Sequence, residues 1–169
     1  MPFNGHSDRG RDINGDEIII ISAANDLSPP AGCSTSGVEK VRLSDSQKTC
    51  VMPLFWGDST HMSVNNVDGH PWVLVSNTEY LVDSAAPAPS LPVDWEDLWG
   101  VYFNELTLVK LDGSEIIRLA HHRSRVLDNY YHQPRASLSR DGRYVLFDSN
   151  FGLSPISNYT DVYLIDTQD

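Results

Sequence analysis

Basic residues are scarce in this chain of 169: 12 Lys and Arg stand against 23 Asp and Glu, for a formal charge of −11. Phosphate backbones are met by clustered cations, so this balance argues against nucleic acid as a partner. Cysteine is nearly absent. Cys33 and Cys50 have neither CxxC spacing nor a histidine at zinc-ligand spacing, and the sequence leaves open whether they pair. Nothing resembling a P-loop, a dinucleotide fingerprint or a Gly-x-Ser-x-Gly elbow occurs. No apolar run approaches the roughly 18 residues of a membrane span. The opening MPFNGHSDRG lacks the charged-then-apolar order of a signal peptide, so a soluble chain is expected and its compartment stays open. Helical periodicity is close to absent; VDWEDLW is the one stretch that could make a turn of helix.

What remains is β-rich and repeats. DINGDEIIIISAAND, NNVDGHPWVLVSNTE and LSRDGRYVLFDSNFG each place a glycine, polar residues, an apolar block and a serine in that order. The glycine and the serine are seven positions apart each time: Gly15 and Ser22, Gly69 and Ser76, Gly142 and Ser149. Four apolar residues in succession suit a strand buried on both faces. After a loop of variable length comes an alternating segment closing on Asp45, Asp112 or Asp166 (VEKVRLSD, ELTLVKLDG, DVYLIDTQ). A further strand candidate follows twice, KTCVMPL and EIIRLAHH. A short one precedes each glycine: FNGHSD, THMSVN and PRASLS.

The unit is therefore four strands, A to D, joined by turns, over residues 3–58, 59–130 and 131–169 of a single domain, 1–169. An all-β fold of about three four-stranded antiparallel, blade-like units reads as a partial β-propeller. A β-sandwich would explain the strands but not the recurring glycine-to-serine spacing. PRASLSRDGRYVLFDSN resembles the WD-like repeats of the Tol translocation propeller and of oligogalacturonate lyases, whose blades carry P-x-x-S-x-D-G-x-x-I-x-F-x-S. Unit one matches more loosely, with Asn14-Gly15 for Asp-Gly. The resemblance implies a propeller, of which this chain reads as a C-terminal part, since three units are fewer than the usual four to eight and the third lacks its D strand. Open blade edges would then invite self-association.

In an up-and-down sheet the A–B and C–D turns lie at one end, the bottom. The long B–C loops and D–A connections lie at the other, the top, where function is expected. His6, His61 and His132 fall at or before strand A, and His121 and His122 end strand D of unit two. The expected ligand-binding residues are His61, Trp95, Trp99, His121, His122, His132, Gln133 and Arg135. The two tryptophans would act as a sugar-stacking platform. The primary reading is a binding or scaffold module for a protein or glycan, with no cofactor and no catalysis. The alternative, implied by the lyase resemblance, is a polyuronate lyase fragment with Mn or Zn held by His61, His121, His132 and Gln133. DINGD is read as a bottom turn rather than a calcium loop, because Glu17 stands where glycine is wanted. Asn158 begins an Asn-x-Thr sequon.

Overall fold

The computed structural model describes residues 6–24, 26–33, 36–54, 59–67, 69–78, 102, 104–124, 130–151 and 159–168. They form three antiparallel meanders. Sheet 1 holds β1 (Ser7–Arg11), β2 (Glu17–Ala24), β3 (Ser36–Arg42) and β4 (Lys48–Pro53). Sheet 2 holds β5 (Ser59–Ser63), β6 (Trp72–Thr78), β7 (Glu105–Lys110) and β8 (Ile116–His121). Sheet 3 has three strands, β9 (Ser137–Leu138), β10 (Tyr144–Ser149) and β11 (Asp161–Asp166). The fold is thus all-β, and strands are paired in chain order within every sheet. A 3-10 turn, Tyr130–His132, precedes β9. Among the described residues no helix is long and apolar enough to cross a membrane. VDWEDLW, with Trp95 and Trp99, lies outside the described residues, as do Trp56 and Asn158.

Sheet 2 is the middle layer. Side chains alternate across a strand, so a continuous apolar run has work on both faces. In β6, Val73 and Val75 join Ile18 and Ile20 of β2, Val38 of β3 and Met52 of β4 in one core. Leu74, between them, joins Leu106 and Leu108 of β7 with Leu138, Val145 and Phe147 of sheet 3 in a second. Trp72 packs at the edge of that second core, with the Lys110 ammonium 5.5 Å from its ring centre. A smaller cluster of Ile21, Ala23 and Val41 fills the far face of sheet 1. The expectation of burial on both faces fails for β10. There Val145 and Phe147 are buried, but Leu146 is 48% exposed, because no described layer packs on that side of sheet 3.

The sheets meet through the same strands twice. The first strand of one sheet lies against the first two of the sheet before: β5 on β1 and β2, and β9 on β5 and β6. Side-chain to backbone hydrogen bonds stitch these first strands together. Asn66 Oδ1 accepts from Arg11 N (3.0 Å), and its amide donates to Arg11 O. Ser63 Oγ accepts from Leu138 N (3.2 Å), while Asn65 Nδ2 donates to Leu138 O (2.8 Å). Each asparagine or serine thus takes the place of a neighbouring strand for a backbone that would otherwise be an exposed edge.

The turns confirm Asp-Gly and its variants as turn chemistry. Gly142 has φ of +75°, and a Cβ there would lie 3.1 Å from the His70 ring in the equivalent turn of sheet 2. Gly113 has φ of +74° and sits against the Cys50 and Val51 carbonyls of β4. Both conditions demand glycine. In DINGD, Asp12 Oδ1 accepts from Asn14 N (2.8 Å) and Asp16 N (3.1 Å), and its other oxygen is 3.7 Å from Lys40 Nζ. The aspartate is therefore fully used by the turn.

Cys33 and Cys50 form a disulfide that ties the loop after β2 to β4. Beside it lies an ionic cluster. Glu39 of β3 is fully buried, 3.6 Å from Lys48 Nζ, and Lys48 also hydrogen-bonds Asp26. Burial raises the Glu39 carboxyl pKa, whereas the Lys48 hydrogen bond lowers that of Asp26.

Candidate functional site

The seventh-position serines show how the top end is built. Ser22 Oγ donates to Thr60 Oγ1 of β5 (3.3 Å), and Ser76 Oγ to Pro134 O ahead of β9 (2.8 Å). Each reaches forward to the first strand of the following unit. Ser149, at the same spacing, reaches back instead and donates to His122 O (2.6 Å). Its face of β10 is the one packed on sheet 2.

His6 and His61 occupy the same station in their sheets. His6 O accepts from Ser22 N, and His61 stands opposite Ser76 in the β5–β6 register. The two rings stack, with centroids 3.9 Å apart and planes tilted by 32°. His6 Nδ1 is 2.9 Å from Thr60 O. His61 is half-buried and hydrogen-bonded by the buried Gln133. Arg135 and Asp148 close the group: Arg135 N donates to Asp148 Oδ1 (2.9 Å), and both charges are felt at His61. Burial lowers the His61 pKa most, helped by the neighbouring His6 and Arg135 charges and opposed by Gln133 and Asp148. At neutral pH His61 is therefore an uncharged imidazole among an amide, a guanidinium and a carboxylate.

The histidines His121, His122 and His132 have other hydrogen-bond or ionic contacts. His122 is fully buried and structural: its Nε2 is 3.1 Å from Asn77 O, and its Nδ1 accepts from Ser124 N (3.1 Å). His121 is exposed at the end of β8, its Nε2 3.2 Å from Glu105, which also binds Arg118. His132 is buried in the 3-10 turn, and its carbonyl accepts from Ser124 Oγ. His61 and His121 stand on opposite edge strands of sheet 2, roughly 14 Å apart at three strand spacings. Trp95 and Trp99 lie outside the described residues.

No group of three or more His, Cys, Asp or Glu side chains able to hold a metal ion occurs among the described residues. Two members of the His61 group, His6 and Asp148, were not nominated from sequence. The signal for His6 was its alignment with His61; for Asp148 it was adjacency to Ser149. No family model matches the chain, and neither a curated protein nor a solved structure does so.

Proposed function

We propose that this chain is part of a β-propeller-type binding module, without catalysis of its own, that takes its ligand at the top end around His61. The observation that supports this reading most is the repeated contact of sheets through the same strands, β5 on β1 and β2, then β9 on β5 and β6. Radial stacking of meanders has that character, and it leaves the connections at one end grouped as a binding surface.

Of a protein or a glycan ligand, the residues favour a glycan. An imidazole, an amide, a guanidinium and a carboxylate supply alternating donors and acceptors for hydroxyl groups. Among the described residues of this group there is no Trp, Tyr or Phe of the kind typical of protein hot spots.

The test is a thermal-shift and titration series with neutral and uronate oligosaccharides, each with Mn²⁺ and with chelator. A saturable rise in melting temperature that survives chelator, and is lost in His61→Ala and Gln133→Ala, is expected. Release of unsaturated oligosaccharide products, or stoichiometric metal after purification, would overturn the reading in favour of a lyase.

A further inference from the structure

Sheet 1 carries buried side chains on the face turned away from sheet 2, where no other sheet packs among the described residues. Residues directly opposite each other in an antiparallel pair share a face. The registers set Ile21 and Cys50 opposite Glu39, Ala23 opposite Gly37, and Ile19 and Lys48 opposite Val41. All these side chains therefore leave the sheet on that one side. Glu39 is 0% exposed there, Val41 4%, Ile21 8% and Ala23 9%. Something other than a sheet covers them.

The segment that reaches this face is 26–33, on the way from β2 to β3, and both its ends are tied there. Asp26 hydrogen-bonds Lys48, which also stands 3.6 Å from Glu39. Cys33 is bonded to Cys50, and its sulfur lies over Gly37, where a Cβ would collide with it. Between the ends the segment buries little of its own. Leu27, its largest apolar side chain, is 95% exposed, and Ser28, Pro29, Ala31 and Gly32 are exposed as well. Apolar burial therefore does not hold the segment down. An ion pair whose partners are both partly exposed is a weak tie. The disulfide is the strong one.

We infer that residues 26–33 form a redox-controlled strap, which lies over the far face of sheet 1 while Cys33 and Cys50 are bonded and lifts to uncover Ile21, Ala23, Val41 and Glu39 when a dithiol reduces them. A thiolate of the dithiol attacks one cysteine sulfur, forming a mixed disulfide and releasing the other cysteine as a thiolate, which takes a proton. The second thiol of the dithiol then loses its proton and displaces the first cysteine. Two electrons pass to the protein, and the reductant leaves as a disulfide. Both cysteines are part-exposed, so the bond is open to attack. Once it is broken, nothing covalent closes the loop between two cysteines 17 positions apart, and chain entropy favours the lifted strap. The ladders of sheet 1 and its packing on sheet 2 use other contacts, so the change is confined to the far face. The strap belongs to sheet 1 alone and does not depend on the top-end reading.

The test is reduction of the whole chain with dithiothreitol, with thiols counted by alkylation and methyl exposure read as nuclear relaxation caused by a soluble gadolinium chelate. Reduction should free both cysteines and leave the circular dichroism spectrum unchanged. It should raise the relaxation of the Ile21, Ala23 and Val41 methyls severalfold, while Ile18, Ile20 and Val38, on the opposite face, stay as they were. Oxidised glutathione should restore the starting values. Cys33→Ser should show the raised relaxation without reductant; should that variant not fold, reduction of the unaltered chain decides alone. Asp26→Asn, with the disulfide intact, should keep the face covered. A bond that dithiothreitol leaves intact, or thiols that appear only as the circular dichroism spectrum is lost, would overturn the proposal and make the disulfide a fixed staple. So would unchanged relaxation at Ile21, Ala23 and Val41 after full reduction, an equal rise on the opposite face, or exposure by Asp26→Asn alone. None of these outcomes bears on oligosaccharide binding at His61.

Discussion

Two buried ionisable groups carry the most informative residue-scale consequences. Lys48 stands between the Glu39 and Asp26 carboxylates under the disulfide-tied loop. Replacing it with Met leaves two carboxylates facing each other with no cation. Breaking a buried pair in this way costs about 3 kcal/mol. Glu39 has a raised pKa when folded, so the folded state holds its proton more tightly than the unfolded chain does. Its contribution is present below the ordinary glutamate value and is lost as pH rises through the folded value. Urea denaturation of Lys48→Met should therefore show its largest deficit at pH 7 and a smaller one near pH 5. An equal deficit at both would remove the carboxylates from the explanation. His61 has the opposite sense. Its folded pKa is lowered, so it carries no penalty above about 6.5, the ordinary histidine value. As pH falls below that, the unfolded chain takes the proton first and stability drops. His61→Gln should flatten this acid-side slope, measured as melting temperature from pH 7.5 to 5; an unchanged slope would show that His61 does not titrate in that window.

At the scale of elements, the strands were legible and their facing was not. The apolar blocks, the alternating segments and the glycine turns fall where β2, β6, β10, β3, β7 and β11 lie, because periodicity and turn chemistry are local properties. The first strands were harder to bound: PRASLS yields a two-residue β9. Spacing alone does not say which neighbour a side chain meets. Ser149 keeps the seven-residue distance from its glycine yet faces sheet 2, whereas Ser22 and Ser76 face forward. The stitching of Arg11 by Asn66 and of Leu138 by Asn65 was likewise illegible, since partners lie 55 and 73 residues apart. At the candidate site, the alignment of His6 with His61 was visible, but the departure of His121 and His122 was not. His121 ends the opposite edge strand, so the strand order of sheet 2 separates it from His61, and the His122 ring is taken up by Asn77 O and Ser124 N. The layered core gives a direct contrast. Leu106→Ala, in the fully buried centre of the second core, should cost about 2–5 kcal/mol. Leu164→Ser on the uncovered face should change stability by no more than about 0.5 kcal/mol. Chemical denaturation of the two side by side checks the layering, and similar losses would mean that sheet 3 is covered on both sides.

For the whole molecule, the central claim is a row of three meanders with sheet 2 enclosed between the others. Native-state hydrogen exchange reads this most directly, because protection follows burial and pairing residue by residue. The β6 and β7 amides from Val73 to Ser76 and from Leu106 to Val109 should exchange slowest, through global opening alone. Thr167 N donates to Arg143 O, so the amides of Tyr163 and Ile165 point into the β10–β11 ladder. These inward amides should be protected to an intermediate degree, and the outward amides of Val162, Leu164 and Asp166 should exchange fast. If β6 exchanged as fast as β1, the enclosed middle sheet would be contradicted; outward β11 amides as protected as those of β6 would contradict the lack of a partner strand for β11 among the described residues.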